Sequence, residues 1–118
     1  MQRAHYLGAP AFQNLECACA MLVRCFGPCV YLVGSCLEKR DYRDVDVRCI
    51  LSDSEFDRMF PDALGDKQHV DAAWCLLCAA IAEWLQARTK LPIDFQFQRM
   101  TQANAKFPGT RNSLGTFL

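Results

Sequence analysis

No stretch of this chain approaches the ~18 consecutive apolar residues that a membrane-spanning helix needs. The first residues, Met1-Gln2-Arg3-Ala4-His5-Tyr6, lack the apolar core of a signal peptide. The expectation is therefore a soluble, cytoplasmic protein with no membrane partner. Internal repeats, domain linkers and low-complexity runs are also missing. A single domain over 1–118 is expected, with a core at about 12–98 and a tail at 99–118. Net charge is absent too: 13 Lys and Arg balance 13 Asp and Glu. That balance hides an asymmetry. Residues 38–62 carry eight acids against five bases, whereas 86–118 carry five bases against Asp94 alone. An acidic centre and a basic last third suit metals and an anionic ligand meeting in one cleft.

A four-ligand zinc arrangement is not in evidence either. There are eight cysteines, at 17, 19, 25, 29, 36, 49, 75 and 78, and most fall inside apolar helix or strand patterns. Free cysteine behaves there as a small hydrophobe. In a reducing cytosol they are expected as thiols, mostly buried. Cys75-x-x-Cys78 supplies two ligands in mid-helix where a structural site needs four. A zinc domain is thus a minor alternative.

Residues 1–11 show no period and read as an irregular arm. Phe12, Leu15, Cys19, Leu22 and Phe26 recur at helical spacing and predict a helix over 12–26, ended by Gly27-Pro28. The apolar run 29–33 predicts a strand, closed by Gly34. Ser35 would open a short helix to about Lys39. A second strand is expected over 44–51. Ser52-Asp53-Ser54-Glu55 matches a capping box, and its helix should stop near Pro61. From Asp66, the stripe Val70, Ala73, Trp74, Leu77, Ile81, Trp84 and Leu85 predicts a helix to about Thr89. His69, in its first turn, reads as a surface polar residue. A third strand is expected over 92–98. The tail from Met100 reads as loop, docked by Phe107, Leu114 and Phe117.

The order of elements gives an α/β protein, with a small three-stranded sheet covered by helices on one face. Alternation decides what the other face carries. In strand two, Val45, Val47, Cys49 and Leu51 point one way, and Asp44, Asp46 and Arg48 the other. In strand three, Ile93, Phe95 and Phe97 alternate with Asp94, Gln96 and Gln98. Like charges on one face repel, and a cation between them turns the repulsion into binding energy. Hard oxygen ligands suit Mg²⁺ or Mn²⁺.

The combination of a strand, Gly34-Ser35, Asp44-Val45-Asp46 and Asp94 on a later strand resembles the nucleotidyltransferase superfamily. That family includes the palm-like fold of DNA polymerase beta and the aminoglycoside nucleotidyltransferases. The likeness covers roughly 12–98. It is to a small stand-alone version of bacterial or phage type. Eight residues separate Ser35 from Asp44, so the intervening helix is barely two turns.

The resemblance implies a minimal nucleotidyltransferase fold with a mixed sheet. It implies an enzyme that moves a nucleoside monophosphate from a nucleoside triphosphate, such as ATP, to an acceptor hydroxyl on RNA, protein or a small molecule. Asp44 and Asp46 would hold two Mg²⁺ or Mn²⁺ ions. Asp94 would complete one metal site and take the acceptor's proton. Gly34 and Ser35, with Lys39, Arg40 and Arg48, would bind the phosphates. Arg48 also reads as a salt-bridge partner of the acids. The basic tail, with Lys106 and Arg111, would lie near the cleft, or a second copy or partner protein would close it. The alternative function is a catalytically inactive nucleotide- or protein-binding module, antitoxin-like, that keeps the fold.

Overall fold

The computed structural model of the protein describes residues 5, 7–37, 43–106, 109 and 111–116, and Ser35 by its backbone alone. Helix α1 spans Ala9–Phe26, three residues earlier than the apolar stripe alone predicts. Gly8 caps it and Pro10 lies in its first turn, where a missing N–H costs nothing. The arm is not irregular throughout: Leu7 is buried, and His5 stacks on Phe12 with ring centroids 4.1 Å apart. At the other end Gly27 takes φ +95° and its N–H closes on the Val23 carbonyl at 2.7 Å.

Strand β1, Val30–Val33, follows, and a single 3-10 turn, Ser35–Leu37, comes after Gly34. The expected helix to Lys39 is described only to Leu37. Lys39 and Arg40 lie outside the described residues. Strand β2 is Val45–Leu51 and helix α2 is Asp53–Met59. Ser52 Oγ accepts the Glu55 N–H at 3.3 Å, the first half of the capping box. The Glu55 carboxylate pairs with Arg58.

Helix α3 runs Ala72–Thr89, not from Asp66. Asp71 is the reason. Its buried carboxylate accepts the Trp74 N–H at 2.8 Å and the Asp62 N–H at 3.0 Å, so the helix starts where its cap is held. The preceding residues form a separate 3-10 turn, Gln68–Val70. The later start also corrects the stripe. Trp74, Cys78, Ile81, Ala82, Leu85 and Thr89 face inward, while Val70, Ala73 and Leu77 are exposed.

Strand β3 is Ile93–Arg99. The described residues of the tail are not all loop: they include helix α4, Met100–Lys106, and a short strand β4, Asn112–Ser113. Phe107 and Phe117 lie outside the described residues. Leu114 is fully buried, as a docking residue should be. Gly115 has φ +75°, and a Cβ there would sit 2.6 Å from the Cys19 backbone. Its N–H donates to the buried Glu16 carboxylate at 3.1 Å. Those contacts tie residues 112–115 to α1 and β1, so these residues are part of the fold.

Among the described residues the sheet therefore has four strands, in the order β3-β2-β1-β4. It is mixed: β1 runs antiparallel to β2 and β4, and β3 runs parallel to β2. Helices α1 and α3 pack on one face, over Val30, Leu32, Val45, Val47, Cys49, Phe95 and Phe97. Phe97 is the hub, with Phe26, Phe60 and Phe95 rings at 5.1, 5.3 and 5.2 Å. Strand β3 is an edge strand, and α3 covers it. Trp74 Nε1 donates to the Phe97 carbonyl and Gln86 Nε2 to the Ile93 carbonyl, each at 3.0 Å. The second face is only partly open. Helix α4 packs on β2 and β3, and Arg48, Ile50 and Gln98 on that side are buried.

Candidate metal centre

Two register relations build the site. Asp46 on β2 stands opposite Asp94 on β3 in the parallel pair, and opposite Val33 of β1 in the antiparallel pair. Because Val45, Val47, Ile93 and Phe95 point into the core, both aspartates must point away from it. Asp44, one step before β2, shares their parity. Asp44, Asp46 and Asp94 can each offer a carboxylate oxygen, all within 4.8 Å of one another. Among the described residues they form the one group of three or more His, Cys, Asp or Glu side chains so placed. Three hard oxygen donors in this arrangement can bind a metal ion.

Gly34 enters the same site from β1. It has φ +82°, and a Cβ would fall 2.1 Å from Asp46 Oδ2. Only a residue without a side chain lets the turn lie against that carboxylate. The turn itself is too short to act as a helix dipole, and its Leu37 N–H is already bonded to the Gly34 carbonyl at 3.1 Å. Ser35 opens this turn beside the triad; its side chain lies outside the described residues, as do Lys39 and Arg40.

Arg48 is held beneath the acids. It is 3% exposed. Its Nη1 donates to the Asp94 carbonyl at 2.7 Å and the Val47 carbonyl at 3.1 Å. Its Nη2 lies 3.4 Å from Asp94 Oδ2 and 3.9 Å from Asp46 Oδ1. The structure thus gives Arg48 the salt-bridge role rather than an open position for a ligand's phosphates.

Burial holds the Asp46 carboxyl above the usual carboxylate range. Arg48 works against this, Asp94 and Asp44 add to it, and Lys106 works against it. Lys106, exposed at the end of α4, is therefore within electrostatic reach of the triad. Arg111 sits further along β1, its guanidinium 5.6 Å from the Tyr31 ring centroid and bonded to Asn104 Oδ1. Helix α4 thus carries Lys106 toward the triad, and the chain entering β4 carries Arg111 to Tyr31.

Neighbouring thiols are not poised to react. Burial, with the Asp46 charge, pushes Cys36 up to about 11, and burial does the same to Cys78. All eight cysteines are free; Cys17, Cys25 and Cys75 are exposed, against the expectation for cysteines on apolar stripes. Cys75 and Cys78 point to opposite environments on α3, exposed and buried, so they do not face a common ligand.

Sequence reasoning missed the depth at which Arg48 is buried, the contact of Gly34 with Asp46, and the α4 cover. Alternation signals a face, not what folds over it. Fold and site together define a mixed α/β protein carrying a three-carboxylate site able to bind a metal ion. Comparison with protein-family models, curated proteins and solved structures finds no match.

Proposed function

We propose that this protein is a metal-dependent nucleotidyltransferase, moving a nucleoside monophosphate from a nucleoside triphosphate to an acceptor hydroxyl. The observation that carries the reading is the convergence of Asp44, Asp46 and Asp94 beside a glycine turn that touches Asp46. Two Mg²⁺ or Mn²⁺ ions suit this donor set, and when bound they would neutralise the triphosphate and sharpen the nucleophile.

The chain's own part is positioning and proton transfer. Asp44 and Asp46 hold the charge that attracts the cations. The Asp94 side chain is 42% exposed, open enough to meet an acceptor hydroxyl and take its proton. The acceptor oxygen forms a bond to the α-phosphorus as the bond to pyrophosphate breaks. Backbone N–H groups at Gly34-Ser35 and the Lys106 ammonium would answer the charge of the leaving phosphates. RNA, a protein or a small molecule are the acceptor classes.

A second reading, nucleotide binding without turnover, is favoured by one contact: Arg48 already pairs with Asp46 and Asp94. Labelled nucleoside triphosphates, offered with Mg²⁺ or Mn²⁺ to RNA, cell extract and the protein itself, separate the two. Transfer is expected, and Asp46→Asn should reduce it by roughly 100-fold or more, beyond the loss typical of residues that merely support metal ligands. Wild-type transfer by a folded Asp46→Asn protein overturns the enzyme reading. Saturable nucleotide binding with no transfer supports the binding module.

A further inference from the structure

Two of the eight cysteines meet in space. Cys29 follows the exposed Pro28 and precedes strand β1, Val30–Val33. Cys49 lies in β2, where its register partner is Val30, and the Ile50 N–H donates to the Cys29 carbonyl at 2.8 Å. The two cysteines are thus one residue out of register on neighbouring antiparallel strands. Their Sγ atoms are 3.5 Å apart. Cys29 Sγ donates to the Phe26 carbonyl at 3.4 Å, which leaves its sulfur free to accept from Cys49. Among the described residues no other two thiols are in hydrogen-bond contact. Access differs between them: Cys29 is half-buried and Cys49 is fully buried. The hydrogen bond from Cys49 holds the Cys29 thiol below its ordinary value, against partial burial. That bond, together with burial, holds Cys49 above it. A reachable thiol that ionises first, with a second sulfur behind it, is the arrangement of an oxidisable cysteine and its resolving partner.

We propose that Cys29 and Cys49 form a reversible oxidation site, which hydrogen peroxide converts to a disulfide within the chain. The Cys29 thiolate attacks one peroxide oxygen. An S–O bond forms, the O–O bond breaks, and the departing hydroxide takes up the proton that Cys29 gave. The Cys49 sulfur then attacks the Cys29 sulfur. The S–S bond forms, the S–O bond breaks, and the second hydroxide leaves as water with the Cys49 proton. The sulfurs lose a pair of electrons and the peroxide gains it. Closing the gap from 3.5 Å to the ~2.0 Å of a disulfide needs a small movement. Cys29 can supply it, because it stands outside the paired residues of β1 and beside a turn. The bridge closes the loop 29–49, which carries Gly34, Asp44 and Asp46, at the end of β1 away from them. It leaves Val33 opposite Asp46, and the inference is independent of the function given to the carboxylates.

The test exposes the full chain, reduced and folded, to hydrogen peroxide. Iodoacetamide in denaturant then caps the remaining thiols, and peptide mass mapping locates any bridge. The wild type is mapped beside a Cys17→Ser, Cys25→Ser, Cys75→Ser protein, which lacks the exposed thiols. A Cys29–Cys49 bridge is expected in both, reversed by dithiothreitol. With it Tm should rise by roughly 5–15 °C, because the cross-link restricts the unfolded chain. In Cys49→Ala, Cys29 should stop at the sulfenic acid, which dimedone labels. Circular dichroism verifies that each variant is folded. A wild-type Cys29 that stays a thiol while other cysteines oxidise overturns the proposal, as does Cys49 bridged to Cys19 or Cys78. A Cys29–Cys49 bridge that lowers Tm also overturns it, since the native packing then resists the bond. Absence of dimedone label on folded Cys49→Ala overturns the order of attack.

Discussion

On one face of the sheet Val45, Val47 and Cys49 of β2 and Phe95 and Phe97 of β3 pack beneath α1 and α3; on the other, the alternating positions are Asp46, Arg48, Asp94 and Gln96. The first face is held by many interchangeable contacts. Each apolar group is satisfied by any neighbour of the right shape, so packing is dense and non-directional. The second is held by a few contacts that depend on one another. Arg48 is buried because Asp94 and Asp46 receive its charge, and Asp46 tolerates its burial because Arg48 and Lys106 answer it. One strand pair thus carries stability on one side and, on the other, a cluster of charges that no purely structural role demands.

The sharpest test of that division is Phe97→Ala. Removing the hub of the aromatic group should cost about 3–5 kcal/mol, read as a fall in the denaturation midpoint, while Mg²⁺ binding per folded molecule stays unchanged. Loss of Mg²⁺ binding at wild-type stability would dissolve the division between the faces.

Arg48→Met strikes the polar face. It keeps the stem but removes the charge beneath the acids. A broken buried pair costs about 3–5 kcal/mol, reduced here to roughly 1–3 because Asp94 remains in contact with water. Mg²⁺ should restore more stability to this variant than to the wild type, since a cation replaces the lost one. Equal Mg²⁺ stabilisation of both proteins argues that no cation binds near Arg48.

A smaller effect is expected from pH. The folded protein holds a proton on Asp46 more tightly than the unfolded chain does. The stability this gives the metal-free protein is therefore full below the ordinary carboxylate value near ~3.9 and is lost as pH rises through the raised folded value. A divalent cation competes with that proton, so the gain in Tm on adding Mg²⁺ should grow from acid to neutral pH. Calorimetric melts with and without Mg²⁺ across that range measure it. A gain that is constant with pH removes Asp46 from the ligands.

The smallest change in stability is expected for Asp46→Asn. Relief of repulsion from Asp44 and Asp94 offsets the weakened Arg48 contact, so the metal-free Tm should hold or rise slightly. Mg²⁺ binding by titration calorimetry should fall at least about tenfold. A marked loss of Tm would make Asp46 a structural residue.

Much of this was legible from the residues because it rests on local periods. A period of two placed Asp44, Asp46 and Asp94 on the side of their strands away from the core, and the parallel register then aligned Asp46 with Asp94. A period of 3.6 found α1, and Gly27 and Ser52 marked an end and a start. The start of α3 was not legible in the same way. Apolar residues surround that helix, so the pattern does not name an inward face, and the cap that decides it, Asp71, is held by Asp62, nine residues away.

By itself the sequence determined the α/β class, the order of the first three strands along the chain and which side chains of those strands oppose the core, since these follow from spacing between near neighbours. Tertiary structure alone decided that Gly34 lies against Asp46, that Arg48 sits beneath the carboxylates, and that Met100–Lys106 forms α4 and Asn112–Ser113 forms β4. Those outcomes depend on contacts between residues far apart in the chain, such as Gly115 with Glu16 and β4 with β1. Burial and a distant hydrogen-bond partner overrule local preference there, because an unpaired buried polar group costs more than a turn's weak propensity can repay.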